Sequence, residues 1–323
     1  MRTAIPYAVL GLLVLIGQDS KAQAQGFPDH VVKIIVPTAA GGAIDMTARI
    51  VAEKLQAKWG KSVIVDNRAG ASMRLGAQDV QKAAPDGYTL LVAHDGTMAI
   101  NPLVFPDLPY DPIRDFTPLG LVISIPEAVM VNTAVPATSI KELIALAKKE
   151  PGQLTHATGG SATLLSLELF KAMAGINIRS IAYRGGAPAM TATIAGETSI
   201  IIADLATGAA GLNSDRIRPL AVTGLQRSGK YPDLPTVDEA GLKGYDVNTW
   251  MGFLGPANMP KAVADTIEAA IKEAIEIPGV RARFETTGAL VRSGTAEEMR
   301  TVLAADVVKW AKLVKEKNIK FSE

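Results

Sequence analysis

Val31-Val32-Lys33-Ile34-Ile35-Val36-Pro37-Thr38-Ala39-Ala40-Gly41-Gly42-Ala43-Ile44-Asp45 is the stretch that decides the fold. Its first six residues are mostly β-branched and suit a buried strand. Pro37 to Gly42 reads as a turn, and a helical pattern begins near Ala43, where Met46, Ile50, Val51 and Leu55 share one face. Working outward, 62–65 and 89–93 are two more strands. This rhythm predicts a mainly parallel sheet covered by helices on both faces. The pattern then restarts. Strands are expected at 128–131, 154–158, 178–182, 199–202 and 217–222, with a helix over about 162–172. Ser139 with Glu142 and Thr295 with Glu298 form capping boxes that open two further helices. In the second of these, Met299, Val302, Leu303, Val307, Trp310 and Val314 lie along one stripe. No repeat and no low-complexity linker separates the two α/β units. Two such units without a flexible joint predict a cleft between them, and ligands favour that place and the carboxyl ends of parallel strands.

Composition narrows the function classes. The 323 residues carry 33 basic and 32 acidic side chains, a net charge of +1, so no global field favours nucleic acid or an anionic membrane. Arg2, an apolar run over 4–17 and Ala22-Gln23-Ala24 read as an export signal cleaved after about Ala24. The apolar run falls short of the ~20 residues that span a bilayer, so the mature chain is expected to be soluble and extracytoplasmic, and not itself membrane-spanning. There is no cysteine, which removes disulfides, thiol nucleophiles and attachment through a lipidated N-terminal cysteine. A free soluble protein of this kind suits a Gram-negative periplasm.

Two glycine turns carry the expected chemistry. In Thr38, Ala39, Ala40, Gly41, Gly42 and Asp45 the backbone can approach a ligand closely, and the N–H groups at the helix start bear partial positive charge. That makes an anion site needing no basic side chain, or simply a tight strand–helix turn. Thr158, Gly159, Gly160, Ser161, Ala162 and Thr163 repeat the arrangement in the second unit. The pair can grip one anion from two sides. No P-loop and no G-x-G-x-x-G follows either strand. Neither Ser161 nor Ser72 sits in a nucleophile elbow, since Thr163 and Arg74 replace the required glycines. His30, His94 and His156 have no metal-ligand spacing, so no metal and no cofactor is expected. His94, followed by Asp95-Gly96-Thr97, is placed to face the cleft, while His156 reads as a core or hinge residue. Arg74 and Arg184 are candidates for pairing with a carboxylate, or solvated surface residues. Asp204, at a strand end, either orients a polar group of the ligand or caps the next helix. Trp250 reads as core or as packing between the lobes.

Several stretches together resemble one family. They are Ile35-Val36-Pro37 with Gly41-Gly42 and Asp45, Val65-Asp66-Asn67-Arg68, Pro85-Asp86-Gly87-Tyr88-Thr89-Leu90-Leu91, Ile100-Asn101-Pro102, and Leu108-Pro109-Tyr110-Asp111-Pro112. Tyr183 with Ala187-Pro188-Ala189, Leu220-Ala221-Val222-Thr223, Leu234-Pro235-Thr236-Val237 with Glu239-Ala240-Gly241, and Trp250 with Gly252 continue the series. In order and spacing they resemble the solute-binding subunits of tripartite tricarboxylate transporters, the Bug family. The resemblance implies a two-lobed periplasmic-binding-protein (Venus flytrap) fold of type II-like α/β organisation. It also implies carboxylate ligands (dicarboxylates, tricarboxylates, aromatic acids) held by the two glycine turns through backbone groups and bridging waters. The sequence departs from the family at Thr38 and Ala40, where an aromatic and a proline are usual, and at 69–74, which is poorer in glycine.

The expected organisation is a signal peptide at 1–24, lobe one at 27–125 plus 229–323, and lobe two at 126–228. The expected function is capture of a small carboxylate by a monomer, closure, and delivery to membrane permease subunits, with no covalent chemistry. The alternative is a ligand sensor that presents the bound acid to a sensor kinase. An enzyme would require a perturbed histidine or carboxylate pair in the cleft, and no such spacing is present.

Overall fold

The computed structural model describes residues 26–183, 185–292 and 294–319. The signal-peptide reading and Arg184 lie outside these residues. Among the described residues no helix is long and apolar enough to cross a membrane.

The decisive stretch folds as read. β1 (Val32–Val36) leads through the turn into α1 (Ala43–Trp59), and β2 (Val63–Asn67) and β3 (Thr89–His94) lie parallel to β1 on its two sides. Between them α2 (Arg74–Gln81) follows a short turn at Ala71–Met73. Alternation along β1 sorts side chains onto two faces: Val32, Ile34 and Val36 enter one core, and Ile35 enters another. β3 repeats this, with Leu90 and Val92 against Leu91 and Ala93.

The second unit contains α3 (Ile140–Lys149), β5 (Thr155–Thr158), α4 (Ser161–Ala174), β6 (Arg179–Ala182), α5 (Gly186–Ala195), β7 (Ile200–Asp204) and β8 (Ile217–Val222). β6, β5 and β7 are parallel neighbours. The Ser139 cap holds: its hydroxyl accepts from Glu142 N–H at 3.2 Å, and the Glu142 carboxylate reaches back to Thr138 N–H at 2.7 Å.

One strand belongs to both units. β4 (Phe116–Asn132) is 17 residues long, far beyond the 128–131 expected. From Phe116 to Pro126 it pairs antiparallel with β9 (Asn248–Pro256), and from Glu127 to Asn132 with β7 and β8. β9 also pairs antiparallel with β3, giving the order β2-β1-β3-β9-β4-β7-β5-β6. The expected mainly parallel sheets therefore hold at the flanks, while β9 and β4 make the middle antiparallel. β9 is not among the strands expected from the sequence, because Gly252 and Gly255 mask its alternation. The chain returns to the first sheet later than 228. Val237 N–H bonds Val222 O (2.8 Å), Val247 N–H bonds Thr223 O (3.1 Å), and the Tyr245 hydroxyl donates to Ser166 O (2.9 Å), so 235–247 packs on β8 and α4.

The tail after β9 holds α6 (Lys261–Glu276), α7 (Pro278–Glu285), the short β10 (Leu290–Val291), and α8 (Ala296–Lys317). The α8 stripe buries Met299, Leu303 and Trp310. Trp250 is core, 2% exposed, with its indole N–H donating to Asp306 Oδ2 at 2.7 Å.

Candidate functional site

Of three strand–glycine–helix turns, the second and third supply the site. At the second turn β5 ends at Thr158 and α4 starts at Ser161, capped only by Gly160. Gly159 N–H donates to Thr163 Oγ1 at 3.1 Å, which shapes the turn. The N–H groups of the first turn of α4 have no carbonyl to bond within the helix. At the third, β6 leads through Gly185 into α5, whose first residue is Gly186. The two turns touch backbone to backbone: a Cβ on Gly159 would stand 2.7 Å from both Cα and N of Gly186. Only glycine allows that approach, and it brings the positive ends of a 14-residue and a 10-residue helix together.

A cavity of about 370 Å³ opens in front of them. Its walls are Gly159, Gly160, Ser161, Ala162, Thr163 and Gly186 from these turns, Ala157 with Ile201–Asp204 and Thr207 from the second sheet, and Met73, His94, Gly96, Ile100 and Asn101 from the first unit. No lysine or arginine is among the described lining residues; His94 and Asp204 are the ionisable ones. An anion here would be held by peptide N–H groups. A larger groove, about 880 Å³, runs between Gln226 and Glu298 and contains none of the candidate ligand-binding residues.

His94 ends β3 and is 8% exposed. Gly96 N–H points at its Nδ1 (3.0 Å), and Nε2 faces the thioether of Met73 at 2.8 Å. Asp95, 5% exposed, lies beside the His94 ring (3.2 Å) but does not line the cavity. Asp204 does line it, and its Oδ1 accepts from Ala206 N–H (3.0 Å) and Thr207 N–H (2.9 Å). Asp204 thus organises the turn that follows β7, rather than capping the next helix, while standing in the cavity wall. Thr158 is buried and bonds His156 Nδ1 at 3.0 Å. His156 is fully buried, and its Nε2 accepts from Ile202 N–H (3.1 Å), tying β5 to β7. Burial, with Lys171 nearby, pushes its pKa down to about 3, so the ring is neutral.

The first turn stands apart from this cavity. Ala39, Ala40, Gly41 and Gly42 are exposed, and Thr38 O accepts from the Asn67 amide at 3.0 Å. Thr38 Oγ1 is buried without a hydrogen-bond partner. Asp45, 3% exposed, faces inward and organises the loop: it accepts from Gly41 N–H (2.9 Å), Arg49 Nε (2.9 Å) and Asn67 Nδ2 (3.0 Å). Burial opposes its charge, but these donors outweigh burial and hold the carboxyl below the usual carboxylate range. Arg74 also turns elsewhere. Its guanidinium lies 3.9 Å from the Phe105 ring centroid, and its Nε donates to Ala71 O at 2.9 Å.

The family described as tripartite tricarboxylate transporter family receptor matches residues 47–319. This chain belongs to that family. BugT of Bordetella pertussis is 30% identical over 317 residues, covering 97% of each chain. Among solved structures, an R. palustris protein with adipate is 32% identical, with TM-score 0.80, covering 91% of this chain and 99% of its own. MatC from Rhodopseudomonas palustris with bound malate is 28% identical, with TM-score 0.76, covering 89% and 100%. The Bug resemblance, the α/β periplasmic-binding-protein fold and the non-enzymatic reading therefore stand. As a Bug-family receptor the chain is a solute-binding protein.

Sequence reasoning missed Met73, Asn101, Gly186 and Thr207. Gly186 carried a legible signal, since Gly185-Gly186 after a strand and before Ala187-Pro188 repeats the strand–glycine–helix pattern. Met73 carried none: a left-handed backbone at φ 70° swings it to the cavity.

Proposed function

We propose that this protein captures a small carboxylate in the periplasm, a dicarboxylate, tricarboxylate or aromatic acid, and delivers it to the membrane permease of a tripartite transporter. The observation that carries the reading is the convergence of two helix N-termini, α4 and α5, on a cavity of about 370 Å³ lined by no described lysine or arginine. Such a site selects a compact anion whose charge is met by peptide dipoles. One ligand carboxylate bonds N–H groups of 160–163 and 186. His94 and Asp204 meet the rest of the molecule. The two lobes divide where β4 changes partners, between Pro126 and Glu127. Greater affinity of the closed form for the acid shifts the population. Relatives solved with adipate and malate support this ligand class.

A thermal-shift screen of the protein from Gln25 onward against adipate, malate, citrate and benzoate tests the proposal. Ligand at a hundredfold excess over Kd adds about 2.7 kcal/mol to stability. A selective rise in Tm with one class supports the reading and names the ligand. No rise with any acid refutes it.

A further inference from the structure

The two sheets are knotted together at Glu127, the first residue of β4 to leave β9, which pairs with Asp204 of β7 just before β8 joins at Ala128. Its N–H donates to Thr223 Oγ1 (2.7 Å), its carbonyl accepts from Thr223 N–H (2.9 Å), and Thr223 Oγ1 donates to Val247 O (2.7 Å). Both chain crossings are therefore tied at this residue. Its side chain is 2% exposed, and Oε2 has no hydrogen-bond partner.

Groups from both units act on this carboxyl: the charges of Asp95 after β3, Lys309 on α8 and Asp204 at the end of β7, and a hydrogen bond from Ser166 on α4, with the Tyr245 phenol within reach of its charge. Two of these groups are anions. The one cation, Lys309, is already paired with Asp306 Oδ1 at 2.6 Å. The Ser166 hydroxyl, which donates to Ala162 O at 3.2 Å, offers the carboxyl a hydrogen bond that offsets its burial only in part. Nothing in this set neutralises a second buried negative charge, and a neutral acid fits it better than a carboxylate. Burial, reinforced by Asp95 and Asp204 and countered in part by Ser166 and Lys309, pushes the Glu127 carboxyl up to about 8.

We propose that Glu127 couples ligand binding to proton uptake: closure of the two lobes buries its carboxyl in the protonated form, and opening wets and ionises it. This rests on the binding-protein reading above. If the walls part, water reaches the carboxyl and it returns to the ordinary glutamate range. Between that range and about 8 closing then takes up as much as one proton. The closed form binds more protons, so ligand affinity falls as pH rises through this window, by at most about tenfold per pH unit. Below the window both forms are protonated, above it both are ionised, and affinity is flat.

Isothermal titration of the mature protein with adipate and with malate, at one pH near neutrality in phosphate and in Tris, reads the proton directly. The expected result is a heat that differs between buffers by nearly one proton per site in the wild type. Glu127→Gln, neutral at every pH, is expected to bind more tightly than the wild type at that pH and to lose the buffer dependence. Equal heats in the two buffers for the wild type overturn the coupling. A buffer dependence that survives in Glu127→Gln overturns it too, assigning the proton to another group such as the His94 imidazole. Should Glu127→Gln fail to fold, infrared difference spectra of the wild type with and without ligand decide: a protonated carboxyl band gained on binding supports the proposal, and its absence refutes it. No heat with either acid or any other of the panel removes the carboxylate-binding reading, and the coupling with it. Heat without proton uptake removes the coupling alone.

Discussion

Gly159→Ala tests the anion site at its tightest point. The new Cβ would stand 2.7 Å from Gly186 Cα and N and 2.9 Å from Gly185 C. All three are backbone atoms, so no rotamer relieves the clash. Reaching ordinary contact separates the two turns by roughly 0.7 Å. Overpacking of this kind costs about 1–3 kcal/mol of stability. The effect on binding is more informative. A donor set moved by that distance leaves the narrow N–H···O range, and losing one hydrogen bond to a charged group costs about 1.5–3 kcal/mol. That is roughly a ten- to hundredfold rise in Kd. Titration calorimetry with the acid found in the screen measures it, beside thermal unfolding of the free protein. Gly175→Ala is the control: Gly175 is the left-handed C-cap of α4 at φ 64° with nothing near its missing Cβ. It should lower stability by about 1 kcal/mol and leave Kd alone. If Gly159→Ala lowers Tm while Kd stays within twofold, the paired turns do not hold the anion.

The other expectations are simpler. Arg74→Ala removes a guanidinium stacked on Phe105 and should cost about 0.5–1 kcal/mol of stability without changing Kd; weakened acid binding would return Arg74 to the site. Asp45→Asn deprives the 38–45 turn of an acceptor for Gly41 N–H and Arg49 and should cost about 1–2 kcal/mol, with the difference from wild type vanishing in acid. The sign follows from the lowered carboxyl: its contribution is present above the ordinary aspartate range and lost as pH falls through the folded value. Denaturant midpoints across pH, read for both proteins, check this. His156 should show as a second acid-side loss. Its folded pKa of about 3 lies below the unfolded value, so stability is complete above about pH 6.5 and falls by up to about 1.4 kcal/mol per unit below it. His156→Gln, which takes up no proton, should flatten that slope; an unchanged slope would refute the assignment.

Local rules made much of this chain legible. The 31–45 stretch, both serine and threonine helix caps, the strand at 217–222 and the α8 stripe all follow from periodicity and capping, which act over a few residues. The turn at 158–163 was legible for the same reason: a strand end, two glycines and a helix start form a local anion-binding geometry. Where the reading faltered, distance in sequence was the cause. Gly252 and Gly255 obscured β9, a strand whose pairing with β3 and β4 depends on residues more than a hundred positions earlier. β4 looked like a short strand because its first half is buried by a partner the sequence does not announce. Arg74 looked available until Phe105 occupied its guanidinium.

By itself, then, the sequence determined the α/β class, the receptor family and two of the three glycine turns, because those features are written in residues that are near neighbours along the chain. Tertiary structure alone decided which of the turns share a cavity, that Asp45 serves the loop while Asp204 faces the cavity, and that one strand crosses between the two sheets with an uncompensated carboxyl at the crossing. Those are matters of packing between segments far apart in sequence, where burial, close backbone approach and the company of other charges fix what a side chain can do.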